Sequence, residues 1–245
     1  LVGEQQIALV TGANKGIGLE VARGLATHGM TVFMGARQPS LGEAAVAILQ
    51  AEGHDVRFVE LDVTRLDLVT AARQRIDSDC GRLDVLVNNA AGGLDSIPPS
   101  QVSEDDFRHT LETNVIGPFR VLQVMLPLLR RSSLARIVNV SSDYGSLSLN
   151  ADPTMPHANA IALAYPASKA ALNQMTVQFA KEFRGSNIKI NSANPGFTDT
   201  DMINRLGMSA GRTPAQGAKA IIALALIGPD GPSGGFFDDR GTVPW

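Results

Sequence analysis

A chain of 245 residues, 44% hydrophobic and 18% charged, can bury a large core, and a net charge of −3 without a basic run interleaved with aromatics excludes nucleic acid and anionic membrane as favoured partners. A single cysteine, Cys80, excludes an intramolecular disulfide, and the four histidines lack metal-ligand spacing, so a metal-free site in a reducing compartment is expected. Leu1 to Gln6 carry no basic segment followed by an apolar core, and no later stretch is apolar enough to span a bilayer. A cytoplasmic protein with a small-molecule partner is the expectation.

The first apolar run, Ile7 to Val10, reads as a strand that opens into Thr11-Gly12-Ala13-Asn14-Lys15-Gly16-Ile17-Gly18 ahead of a helical stretch. Missing side chains at Gly12, Gly16 and Gly18 let backbone amides approach a pyrophosphate at the helix N-terminus. A plain glycine-rich turn is the competing reading, but strand before and helix after favour a dinucleotide. The second run, Thr31 to Met34, ends in Gly35-Ala36-Arg37. Folds that prefer NAD commonly place an acid here on the ribose diol, whereas Arg37 suits a 2′-phosphate, with Lys15 as a second charge. NADPH is therefore expected over NADH. The third run, Val56 to Leu61, leads to Asp62, which either hydrogen-bonds the adenine or caps the next helix.

Val85 to Val87, Ile137 to Val140 and Ile188 to Ser192 read as further strands, with amphipathic helical stretches between them. Continuous rather than alternating apolar strands imply a sheet covered on both faces, hence a parallel, doubly wound α/β/α sandwich of about seven strands in one domain, residues 1–245. The irregular regions are 92–103, 143–163, 198–212 and the glycine-rich end, 228–245. In an open parallel sheet, ligands bind beyond the carboxyl ends of the strands. Gly12, Asn88, Ser142 and Pro195 each follow a strand, so all are expected at one rim.

Tyr165 and Lys169, in Tyr165-Pro166-Ala167-Ser168-Lys169, share a face if that stretch is helical. An ammonium group near a phenol favours the phenolate and eases proton exchange, which makes Tyr165 a candidate general acid or base. The pair alone is ordinary helix packing. In order with the glycine loop, Leu61-Asp62-Val63, Asn88-Asn89-Ala90-Ala91-Gly92, Thr113-Asn114-Val115, Val140-Ser141-Ser142 and Pro195-Gly196-Phe197-Thr198-Asp199-Thr200, the chain resembles the short-chain dehydrogenase/reductase family over nearly its whole length.

That resemblance implies a Rossmann-type fold in which Ser142 hydrogen-bonds a substrate carbonyl, Tyr165 donates its proton, Lys169 lowers the phenol pKa and holds the nicotinamide ribose, and Asn114 supports a water-linked proton path. Asn114 has an equal alternative, satisfying a local helix distortion. Ser141 competes with Ser142, since the two point to opposite sides of an extended backbone; the family pattern selects Ser142. Cofactor contacts are expected from Gly12, Asn14, Lys15, Gly16, Ile17, Gly18, Arg37, Asp62, Val63, Asn89, Ala90, Tyr165, Lys169, Pro195, Gly196, Phe197, Thr198 and Thr200, with the Phe197 backbone and the hydroxyl of Thr198 or Thr200 meeting the carboxamide. The long segment between Ser142 and Tyr165 resembles the monomeric carbonyl reductases, so a monomer is favoured. Leu94, Tyr144, Phe197, Met202 and Leu206 are expected to form an apolar pocket for an aromatic or aliphatic ketone or aldehyde. Two other readings remain open: an oxidative alcohol or hydroxysteroid dehydrogenase, and a protein that senses NADP(H) without turnover. The latter has no need of Ser142, Tyr165, Lys169 and Asn114 together.

Overall fold

The computed structural model describes residues 5–93, 96–155, 158–205, 207, 209 and 211–245. Along the chain run β1 (Ile7–Thr11), α1 (Gly16–Thr27), β2 (Thr31–Ala36), α2 (Pro39–Ala51), β3 (Val56–Glu60), α3 (Leu66–Cys80) and β4 (Val85–Asn88). There follow α4 (Glu104–Leu111), a π-helical turn (Glu112–Ile116), α5 (Gly117–Leu129), β5 (Ala135–Val140), α6 (Leu147–Ala151), α7 (Ala164–Glu182) and β6 (Ile188–Ala193). The chain closes with α8 (Asp201–Asn204), α9 (Pro214–Ala225), β7 (Phe236–Asp238) and β8 (Gly241–Thr242). The sheet order is β3-β2-β1-β4-β5-β6-β7-β8, parallel except for the final β7–β8 pair. The two last strands lie in the glycine-rich end that sequence reading left irregular: β7 is only three residues long, too short for a hydrophobic period to reveal it.

Side-chain alternation along each buried strand feeds two cores. Ala8, Val10, Val32, Met34, Val85 and Val87 pack on one face with Leu25, Leu49 and Ile221. Ile7, Leu9, Phe33, Leu86 and Ile137 pack on the other with Ile76, Leu122, Met125 and Leu128. Helix boundaries follow local chemistry. Ser103 caps α4 by accepting from the Asp106 amide at 3.0 Å, ahead of an acidic first turn that suits the helix dipole. Thr213 and Gln216 close a capping box on α9, with Pro214 in the first turn.

Beneath the rim, polar side chains cross the sheet. Asn88 Nδ2 donates to Asn139 Oδ1 at 2.9 Å, Asn139 Nδ2 donates to Thr176 Oγ1 at 2.8 Å, and Thr176 shares a 2.9 Å bond with Ser192 Oγ. All four residues are buried, so this ladder ties β4, β5, β6 and α7 together in a setting where an unmade bond is expensive. Asn139→Ala strands partners on both sides and is expected to cost about 2–4 kcal/mol in chemical denaturation; a change within about 0.5 kcal/mol would show that the ladder does not brace the rim.

Candidate active site

The strand ends converge as parallel topology requires. Gly12 follows β1, Arg37 follows β2, Asp62 lies just beyond β3, and Ser142 just beyond β5. Gly12 and Gly16 adopt φ of +64° and +55°, the left-handed region in which a side chain is strained. A Cβ on Gly18 would fall 2.4 Å from the Gly12 carbonyl oxygen, so glycine is what lets α1 pack onto the loop. The N-terminus of α1 has no side-chain cap, leaving backbone N–H groups at the loop for an anion. Arg37 is exposed and makes no ion pair among the described residues. Uncapped amides and an unpaired guanidinium together fit a phosphorylated dinucleotide.

Several expected cofactor contacts have other partners here. Lys15 is ion-paired with Asp201, so it reaches a 2′-phosphate only by exchanging that partner; the pair is over half exposed and correspondingly weak. Asn89 Nδ2 donates to Thr11 O at 2.9 Å and to Gly12 O at 3.1 Å, bracing the glycine loop against β4. Thr11, which sequence reading did not single out, accepts through its hydroxyl from the amides of Asn89 and Ala90. Asp62 makes a turn by accepting from Thr64 N and Oγ1, while the N-cap position of α3 is Arg65, so the capping alternative does not hold. Val63 is 5% exposed and packs against Gly117 in the core rather than facing the rim. Thr198 is buried and its hydroxyl donates to the Pro195 and Gly196 carbonyls, closing a turn under α9, while the Thr200 methyl group lies against Gly16 of the glycine loop. Asn14 and Ile17 are half-buried in the loop and its helix, and Phe197 is 42% exposed. Leu94 and Leu206 lie outside the described residues.

The catalytic candidates do meet. Ser142 lies near enough to the Tyr165 phenol to act on its titration, and Lys169 Nζ lies 5.4 Å from the Tyr165 ring centroid. Lys169 is 2% exposed and donates to the Val140 carbonyl at 2.8 Å, which pins α7 to the end of β5. Gly145 packs so tightly on Lys169 that a Cβ would fall 2.7 Å from its backbone. Ser141 is buried away from these groups, with a hydroxyl that finds no partner. Asn114 sits in the π-helical turn, but its side chain spans outward: Oδ1 accepts from Gly92 N at 2.9 Å, and Nδ2 donates to Gly92 O at 2.9 Å and to Ser168 Oγ at 3.0 Å. Those bonds tie β4's exit to the helix of Tyr165, rather than mending the distortion from within.

Burial pushes the Tyr165 phenol well above its ordinary value; the Asp143 charge and Tyr144 add to that, and Ser142 opposes it. Burial also pulls the Lys169 amine down to about 7. The expected depression of the phenol by a lysine ammonium is therefore not what this arrangement displays: desolvation disfavours both charges, and a half-neutral amine cannot strongly support a phenolate. Tyr144 meets Tyr165 edge-on at 6.5 Å, and burial with Asp143 raises its phenol too. Met202 is half-buried in α8. A cavity of about 170 Å³ lies between Gly93, Ile97, Thr110 and Ala164, the last being the residue before Tyr165 in the chain. After Ser142 the chain folds back, with Asn150 Nδ2 donating to the Tyr144 and Ser146 carbonyls and Ser148 N donating to Trp245 O.

The family model described as short chain dehydrogenase matches residues 6–210, and the chain belongs to that family. It is 32% identical over 280 residues to carbonyl reductase (NADPH) 1 of Sus scrofa, covering 98% of this chain and 94% of that protein. It is 33% identical to the cyclopentanol dehydrogenase of a Comamonas species, covering 91% and 83% respectively. In structure it is similar to the NADPH-bound carbonyl reductase from chicken fatty liver, with a TM-score of 0.84 at 28% identity, covering 99% of this chain and 100% of that one. Thus the protein is an oxidoreductase of the short-chain dehydrogenase/reductase family, with carbonyl reductases among its relatives. No helix among the described residues is long and apolar enough to cross a membrane.

The buried lysine makes stability depend on pH. The unfolded amine titrates near 10.5 and the folded one at about 7, so between those values the unfolded chain binds more protons and folding strengthens as pH rises. Below about 7 the folded state carries the full cost of a buried ammonium. Lys169→Met is expected to be most stabilised relative to the parent at pH near 6, with the gap closing toward pH 10 in denaturation curves; a pH-independent gap would contradict a depressed amine.

Proposed function

We propose that the protein is an NADPH-dependent reductase of ketones and aldehydes, with Tyr165 as the proton donor. The observation that carries this reading is a half-buried phenol held protonated at neutral pH beside Ser142 and the Lys169 amine. The glycine loop and Arg37 would hold the dinucleotide, whose nicotinamide would supply hydride to a carbonyl carbon. The oxygen then gathers negative charge and needs an acid within reach, which Tyr165 is. Lys169, anchored on Val140, fixes the helix position of the phenol and presents an amine to the ribose side of the site. Asn114 holds Gly92 and Ser168 in place around that helix. Arg37, with Lys15 released from Asp201, supplies positive charge for a 2′-phosphate, and the NADPH named with carbonyl reductase relatives supports the same preference. Tyr144, Phe197 and Met202 offer apolar surface to the substrate. A monomer belongs to this reading, supported by the way the segment after Ser142 folds onto its own backbone and the C-terminal residue.

The cyclopentanol dehydrogenase relative supports a second reading, oxidation of an alcohol. Oxidation requires a phenolate to accept the proton, and the raised phenol places that chemistry at alkaline pH.

Absorbance decay of NADPH, and separately of NADH, with aromatic ketones, aliphatic aldehydes, quinones and keto esters tests the reading. Faster loss with NADPH is expected; no loss with either, despite measured cofactor binding, would move weight to oxidation or to NADP(H) sensing without turnover. Tyr165→Phe is expected to keep cofactor affinity while lowering turnover by roughly 10²-fold or more, and near-normal turnover would sink the mechanism. Arg37→Ala is expected to weaken NADPH binding by roughly ten-fold or more in fluorescence titration while sparing NADH, and an equal loss for both would show that Arg37 does not read the phosphate.

A further inference from the structure

The final hairpin reaches back to the strand ends. β7 pairs with the end of β6 through Ser192↔Phe236 and Ala193↔Phe237, and Asn194 N donates to Phe237 O at 2.7 Å. Asp239 stands in the turn that follows, which Asp238 fixes by accepting from the amides of Arg240 and Gly241. Onto the Asp239 carboxylate Arg212 lays its guanidinium fork, Nη1 donating to Oδ1 at 3.2 Å and Nη2 to Oδ2 at 2.7 Å, while Nη2 also donates to the Gln216 carbonyl at 2.9 Å. Two parallel charge-assisted bonds fix direction as well as distance. The side chains are 24% and 29% exposed, so solvent screens this pair less than it screens an ordinary surface pair.

The same arginine grips the segment that leaves β6. Its carbonyl accepts from Asp199 N at 2.8 Å, its backbone pairs in parallel with Thr198, and its stem covers Gly196, where a Cβ would fall 3.1 Å from Arg212 Cδ. Beyond Asp199 the segment meets the glycine loop. The Thr200 methyl lies against Gly16, and Asp201 pairs with Lys15. A continuous line of contacts therefore runs from the sheet edge through Asp239, Arg212 and residues 196–201 to the glycine loop.

We propose that Arg212 and Asp239 are positioning residues for dinucleotide binding: their fork holds residues 196–201 against the glycine loop, so the site is assembled before the cofactor arrives. The pair acts on the segment and not on the dinucleotide. Assembly in advance raises affinity by removing an ordering cost from the binding step. Arg212 Nε is buried with no hydrogen-bond partner among the described residues, which works against stability, so a gain in stability alone does not account for the arrangement.

The role rests on the dinucleotide site proposed above, but the clasp itself is testable without cofactor. Asp239→Asn turns one of the two acceptors into a donor at nearly constant shape, and Arg212→Met removes the fork while keeping a stem over Gly196. In the cofactor-free protein, hydrogen–deuterium exchange in peptides covering the Asp199 amide is expected to quicken several-fold in either variant. Affinities for NADPH and for NADH, read by fluorescence titration, are both expected to fall by on the order of five-fold, with the double variant no weaker than Arg212→Met. Equal loss for the two cofactors separates this role from that of Arg37, whose loss is expected for NADPH alone. Thermal stability lowered with affinities unchanged would mark the pair as merely structural and overturn the proposal, as would an affinity loss without faster exchange at Asp199, or losses that add in the double variant. If Arg212→Met does not fold, Asp239→Asn decides the matter through both readouts. A parent protein that binds cofactor but reduces no carbonyl would defeat the reductase reading and leave these affinities decisive for the clasp.

Discussion

All strands from β1 to β7 run in one direction, and that constraint brings scattered residues together at one edge of the molecule. A parallel sheet must return its chain through a helix after each strand, so every crossover leaves the same rim and re-enters at the opposite one. The glycine loop, Arg37, Asp62, Asn88 and Ser142 share no neighbourhood in sequence and share the rim in space. Burying both faces of such a sheet is possible only with apolar side chains on both, and the two cores meet that demand. The polar ladder from Asn88 through Asn139 and Thr176 to Ser192 lies just beneath the strand ends, where the sheet gives way to loops and register must still be held.

Rigid placement makes the electrostatics of the site possible. Lys169 is driven under the sheet rim by its position on α7 and finds one acceptor, the Val140 carbonyl. Desolvation then disfavours the ammonium and the phenolate alike, leaving two near-neutral groups side by side. A neutral phenol close to a half-titrated amine is suited to giving up a proton as negative charge develops on a bound oxygen, and less suited to removing one from an alcohol at neutral pH. Desolvation and an adjacent carboxylate thus favour the acid role, whereas a helix-spacing argument about lysine and tyrosine on one face is silent about direction.

Fold and catalytic candidates were legible because they depend on local pattern. Apolar runs of three to six residues marked the buried strands, and strand-glycine-helix order marked the loop. Tyr165, Lys169 and Ser142 were legible as an ordered set. Less legible were the partners that side chains choose once folded: Thr11 accepting from Asn89 and Ala90, Lys15 paired with Asp201 across the sequence, Thr198 turned inward, and Val63 spent in the core. Those choices depend on three-dimensional neighbours that no spacing rule reaches. Arg212 and Asp239, which anchor the segment after β6 to the final hairpin, were invisible for the same reason. The upward push on the phenol was not legible because it comes first from burial, which a sequence pattern does not quantify.

The central claim is that this rim hands a hydride from a nicotinamide to a carbonyl carbon while Tyr165 supplies the proton. Its most direct test is to supply NADPH deuterated at the transferable position of the nicotinamide ring and analyse the alcohol by mass spectrometry and NMR. The account predicts a single deuterium on the carbinol carbon, with exchangeable hydrogen on the oxygen. Product alcohol without deuterium at that carbon would contradict it.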